Sequence, residues 1–236
     1  MRIALMPFVI LVTVWLGTNG TDLSSGSEAS TVLGGSRVTC LNDREVSNAI
    51  RGLASGNESQ VDRARAMLVN KAKLSPTCRG EVVTTLMKAM DKPNLDFNRD
   101  KSTYYLWLYG ASLLGNLRAA EALDLLISHL NLAHHIYSSS MNHQPALLGV
   151  LRMGPIAIPK LGEVLRHNPD PKMRYSAVYC LATIGGDSAV EELKAALGSE
   201  SDECGKRLIR VSLDSFDNEG HIKNRMQWFS GFSCNK

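Results

Sequence analysis

His129, His134, His135 and His143 crowd into a short stretch of a chain that has only six histidines. Imidazole is the commonest protein ligand for transition metals, so a metal centre is the first chemistry to weigh. The spacing argues against it. Adjacent His134 and His135 must point in different directions, no H-E-x-x-H pair occurs, and no carboxylate pair lies nearby. The surrounding "NLAHHIYSSSMNHQ" (131–144) reads better as a polar contact loop, in which His134, His135, Tyr137 and His143 meet a partner. Nucleophilic chemistry finds even less. "GLASG" at 52–56 has its serine in the wrong register for G-x-S-x-G, and no phosphate loop, paired-carboxylate site or zinc pattern is evident. The expectation is a non-enzymatic chain without a cofactor or a metal.

The elements that would carry such a loop follow from apolar spacing. Residues at i, i+4 and i+7 share one helical face. Trp107/Ala111/Leu114, Ala146/Val150/Met153 and Ala177/Leu181/Ile184 have this spacing, and a glycine follows each: Gly115, Gly154 and Gly185. Ile209/Leu213/Phe216 gives a fourth copy, followed by Asp217. Each glycine is read as a helix stop. Beyond it, Ala119/Leu123, Ala157/Leu161 and Ala189/Leu193 place a second helix in each unit. Leu161 and Leu193 are 32 residues apart and Ala146 and Ala177 are 31 apart, a two-helix period that marks a solenoid. "DREVSNAIRGLAS", "ESQVDRARAMLVNKAKL" and "PTCRGEVVTTLMKAM" extend the helices over 43–90 as a degenerate repeat and a half that caps the N-terminal end. Leu114 and Met153, 39 residues apart, mark the unit lengthened by the histidine loop.

"IGGDSAVEELKAAL" and "MGPIAIPKLGEVL", with the helix start "DPKMRYSAVYCLA", resemble HEAT repeats, closest to the short type also found in phycobilin lyases. The resemblance runs from about 101 to 216. It implies an all-α, right-handed solenoid of stacked antiparallel helix pairs, with a concave face lined by second helices. On that face stand Glu121, Asp124, Lys160, Glu163, Glu191, Glu192 and Lys194, a mixed set that suits a protein or peptide partner. The resemblance also hints at bilin attachment, for which an exported chain is misplaced. Asp170 and Pro171 read as a cap and first helical residue, and Arg174 as an inter-repeat hydrogen-bonding residue. Trp107 is read as core, and Tyr105 and Tyr109 as packing residues.

With 26 basic and 23 acidic residues the net charge is +3, too balanced for nucleic-acid binding. Arg2 followed by "IALMPFVILVTVWL" and then "GTNGTD" has the order of a secretory signal peptide over 1–20. Its fourteen apolar residues fall short of the ~20 that span a bilayer. Residues 21–39 read as a flexible leader, 40–220 as the repeat domain and 221–236 as a C-terminal capping tail. Export places the protein in the periplasm or outside the cell, with no membrane anchor after cleavage. Asn19 and Asn57 begin N-x-[ST] matches.

Five cysteines leave one over after pairing. Starts of successive first helices are neighbours in a solenoid, which pairs Cys40 with Cys78. By the 32-residue step Cys204 aligns with Lys172, eight residues or ~12 Å from Cys180 and beyond disulfide reach. Cys204 is therefore expected to pair with Cys234, leaving Cys180 as a buried thiol. The chain reads as an exported scaffold for a protein or peptide. A periplasmic inhibitor of the immunity type is the alternative, ahead of an enzyme or a metal protein built on the His134–His143 loop.

Overall fold

The computed structural model describes residues 40–132 and 144–216. The described elements are helical throughout, with no strand among them. α1 (Asp43–Ala54) opens with a capping box in which Asn42 and Glu45 each bond the other's backbone N–H. α2 (Glu58–Ala72) starts at Asn57, and α3 (Pro76–Met90) starts at Ser75 with proline at its first position. α4 (Lys101–Asn116) is capped by Asp100, whose carboxylate accepts from the Thr103 N–H and from the Ser102 and Thr103 hydroxyls. The capping carboxyl is held well below its usual range by these bonds, those from Ser102 and Thr103 above all.

A 3₁₀ turn at Ala120–Ala122 leads into the short α5 (Leu123–Ile127). α6 (Pro145–Met153) passes through a second 3₁₀ turn, Gly154–Ala157, into α7 (Ile158–His167). α8 (Pro171–Ile184), α9 (Asp187–Ser199) and α10 (Glu203–Asp214) complete the described order. Asp170 caps α8 by accepting from the Lys172 N–H, with Pro171 next, as expected.

α4, α6, α8 and α10 pack in succession as one row, while α3, α5, α7 and α9 lie against them as the second. This is the stacking of helix pairs that the repeat period implied, in the HEAT-like arrangement that the resemblance implied. The triples line the interface between the rows: Trp107, Ala111, Leu114, Ala146, Val150, Met153, Ala177, Leu181, Ile209 and Phe216 are all buried. Burying each such side chain contributes about 1.5–3 kcal/mol for the larger ones. Trp107 is fully buried, and its indole N–H donates to the Met90 carbonyl at 3.1 Å, tying α4 to the end of α3. Tyr105 and Tyr109 stack with centroids 6.4 Å apart and pack against the core, as expected.

The glycine stops need one correction. Gly154 (φ 66°) and Gly185 (φ 72°) do end α6 and α8 in backbone conformations that suit glycine. Gly115 does not stop a helix. It lies inside α4, where a Cβ would sit 2.4 Å from the Gly149 carbonyl oxygen and 2.6 Å from Arg152 Cβ. Gly149 likewise has the Ala111 carbonyl oxygen 2.8 Å from where its Cβ would be. These two glycines let α4 and α6 approach backbone to backbone. The positive φ beyond α4 falls instead on Arg118, at 48°. The second helix of two units is also shorter than read, because Ala119 and Ala157 belong to the turns ahead of α5 and α7.

The N-terminal helices form as read, but α1 packs chiefly on α2 and α4 rather than on α3. The chain is still fastened near its first described residue. Cys40 and Cys78 form a disulfide with Cα atoms 5.3 Å apart. Glu81 of α3 accepts from the backbone N–H groups of Cys40 (2.9 Å) and Leu41 (2.8 Å), and Lys71 of α2 donates to the Cys40 carbonyl at 2.9 Å.

Candidate protein-binding face

The charged residues expected on the second helices do share the second row, and most are tied across it. Arg79 of α3 meets Glu121 at 2.7 Å. Its other terminal nitrogen donates to the Leu117 and Arg118 carbonyls, satisfying the end of α4. Asp124 of α5 meets Lys160 of α7 at 3.2 Å, and Lys160 also reaches Glu163 one turn along its own helix. Arg166 of α7 pairs with Glu192 of α9. The row thus presents a cation, an anion, a cation and an anion on successive elements. The hydrogen bond from Arg79 lowers the Glu121 carboxyl, and those that Lys160 donates to Asp124 and Glu163 raise its ammonium.

Glu191 and Lys194 differ from these. Both are exposed on α9, and neither makes an ion pair with a described residue. They are the two charges of the predicted set that the array leaves unspent. Beside Glu191, a groove between α7 and α9 has Pro155, Ile158 and Pro159 on one wall and Ser188, Glu191 and Ala195 on the other, with Arg166 and Glu192 also lining it. A second groove of ~460 Å³ opens further along the row, between α3 and α5, where Val83, Met87 and Leu125 supply apolar lining and Lys88, Asp91 and Glu121 the charges. Neither groove assembles a nucleophile with a base. Among the described residues no group of three or more His, Cys, Asp or Glu is placed to hold a metal.

His129, the upstream member of the histidine run, is a packing residue. Its ring lies 4.8 Å from the Trp107 ring and its Nδ1 is 2.9 Å from the Leu125 carbonyl oxygen. His134, His135, Tyr137 and His143 lie outside the described residues, as does Cys234. Cys204, expected to pair with Cys234, is disulfide-bonded. Cys180 is a buried free thiol, as expected, and burial pushes its pKa up.

One polar cluster was legible only in part. Arg174 has the inter-repeat role expected of it, and its partner is Glu200, between α9 and α10. Its Nε and one terminal nitrogen donate to the two Glu200 carboxylate oxygens at 2.9 Å each, and another nitrogen reaches the Asn168 and Pro169 carbonyls. Next to it the Tyr175 hydroxyl donates to Asp202, which also caps α10 through the Gly205 N–H at 2.7 Å. Burial and the Asp202 carboxylate push the Tyr175 pKa up to about 12. Both partners of these bonds are 26 or 27 residues apart, so helical spacing alone does not pair them.

The family model of the PBS lyase HEAT-like repeat matches residues 173–199, which span nearly all of α8, the Gly185–Gly186 turn and all of α9. The chain thus carries a HEAT-like repeat. No curated protein and no solved structure matches it. The matched repeat also carries the α9 residues that border the α7–α9 groove. No helix among the described residues is long and apolar enough to cross a membrane.

Proposed function

We propose that this HEAT-like protein is an exported, non-enzymatic scaffold that holds a protein or peptide partner on the face formed by α3, α5, α7 and α9. The observation that carries the reading is the α7–α9 groove, where Pro155, Ile158 and Pro159 adjoin Glu191, a charge that the fold itself does not use, with Lys194 exposed on the same helix. A rigid row of paired charges with grooves between its helices offers both shape and a polar rim to an incoming chain. The apolar stretch at 3–16 supports export, and the predicted loop at 131–144 would add His134, His135, Tyr137 and His143 to the contact.

The test is to isolate the protein from exported and cytoplasmic fractions, cross-link it there, and map the cross-linked residues. The expected result is an exported protein whose partner cross-links to α7 and α9 and is lost in the Glu191→Lys/Lys194→Glu double variant. A cytoplasmic protein overturns export. A partner retained by the double variant, or mapped to the α4–α6–α8 row, overturns the assigned face.

A further inference from the structure

The α1–α2 hairpin begins the described array, and a groove of ~470 Å³ runs between its two helices. Its floor is apolar, built from Ala49, Ala64 and Met67. Gly52 brings the helices together there, since a Cβ on it would lie 2.9 Å from Ala64 Cβ. Arg51 of α1 and Arg63 of α2 are exposed along this groove, one from each helix.

The charge balance of the groove is one-sided. Its single acid, Glu45, is already occupied by Lys71 at 2.8 Å and by the Asn42 N–H at 3.0 Å. The other acids of the hairpin, Asp43, Glu58 and Asp62, do not line it. Arg51 gives one hydrogen bond to the Ser47 hydroxyl at 3.3 Å, and Arg63 one to the Ser59 carbonyl at 3.1 Å. Each guanidinium has five donors in a fork that matches a carboxylate, so most of that capacity faces outward. We propose that the α1–α2 groove is a second docking site, which takes an acidic segment of a partner protein whose carboxylates meet Arg51 and Arg63 while an apolar side chain rests on Met67. Two arginines over an apolar floor suit a peptide better than a nucleic acid, whose affinity accumulates over many phosphate contacts. The site is separate from the α7–α9 face, and its failure leaves that proposal standing.

The experiment is fluorescence anisotropy of the full chain with a labelled peptide rich in Glu and Leu. Its Lys-for-Glu counterpart and a single-stranded oligonucleotide serve as comparisons. The expected result is binding of the acidic peptide alone, weakening as salt rises. The Arg51→Glu/Arg63→Glu variant should bind about tenfold or more weakly, a difference of ~1.4 kcal/mol or more, with its melting temperature unchanged. If that variant does not fold, Arg51→Gln/Arg63→Gln replaces it with the same expectation. Absence of acidic-peptide binding at about 1 mM overturns the proposal. So does equal binding by the folded variant, or equal binding of the basic peptide or the oligonucleotide.

Discussion

Arg174 and Glu200 face each other in a two-pronged ion pair, each prong 2.9 Å long, with the glutamate side chain only 3% exposed. The pair joins the first helix of one repeat to the approach to α10. Burial, the largest single influence, pushes the Glu200 carboxyl up, but the Arg174 hydrogen bonds and charge together with the Asp202 and Ser201 backbone N–H groups outweigh it and hold the group below its ordinary value. Removing Arg174 leaves that carboxylate buried without its cation, a loss of about 3–5 kcal/mol in comparable pairs. Arg174→Ala should therefore unfold at markedly lower urea than wild type, and more severely than Arg174→Lys, which keeps the charge. Equal midpoints for the two variants would show that the cation is not what matters.

Acid should loosen the same region. Asp202 is lowered first by the Tyr175 hydrogen bond and then by the Gly205 N–H, and Glu200 is lowered as well. Groups depressed in the folded state contribute stability that is fully present above the unfolded carboxylate value of about 4. That contribution drains away as pH falls below 4 towards the folded values. Melting temperature followed from pH 7 to pH 3 should fall steeply at the acid end. The drop should be shallower in Asp202→Asn, because that variant no longer has this carboxylate to protonate.

Glycine substitutions separate packing from conformation. Gly115→Ala places a methyl group 2.4 Å from the Gly149 carbonyl oxygen, a backbone atom that cannot swing aside. Overpacking of this sort costs about 1–3 kcal/mol. Gly80→Ala lies in α3 with nothing within 4 Å of the new atom, and should stabilise by about 0.5–1 kcal/mol. Urea midpoints moving in opposite directions would verify both environments in one experiment.

The cysteines offer a chemical readout. The Cys40–Cys78 bridge spans 38 residues, and the chain-entropy model gives such a closure about 3–4 kcal/mol. A Cys40→Ser/Cys78→Ser variant should lose stability on that scale. Cys180 is fully buried and its thiol pKa is raised, so alkylation should be slow in the native protein and should follow global opening. Rapid labelling of native protein would mean that α8 opens locally.

Gly115 and Gly185 show how much of this fold could be read from spacing. Both follow an i, i+4, i+7 triple, and the triple correctly located a buried helix face each time. A glycine after such a triple has two uses, as a left-handed stop or as a place for a second backbone to approach, and local sequence does not distinguish them. Gly185 has the first use and Gly115 the second, because the neighbour that decides, Gly149, lies 34 residues away on α6. The candidate face divides in the same manner. Outward-facing charge on the second helices was legible from helical phase. Which charges would be taken up by the next repeat was not, since Glu121 finds Arg79 at a separation of 42 residues and Glu192 finds Arg166 at 26. Asp170, Pro171 and Arg174 were legible because capping is local and the repeat pattern supplied the rest.

The alternation along the second row bears on how the chain avoids misassembly. Arg79 of α3 meets Glu121 in the turn ahead of α5, Asp124 of α5 meets Lys160 of α7, and Arg166 of α7 meets Glu192 of α9. Neighbouring units of a repeat protein are similar enough that one can dock prematurely on the next but one. Here such a skip would set Arg79 against Lys160 and Arg166, or Asp124 against Glu192, and like charges brought together repel. Sign alternation works as a parity check on the order of stacking, favouring odd-to-even contacts and disfavouring a collapsed chain that has left a helix pair out.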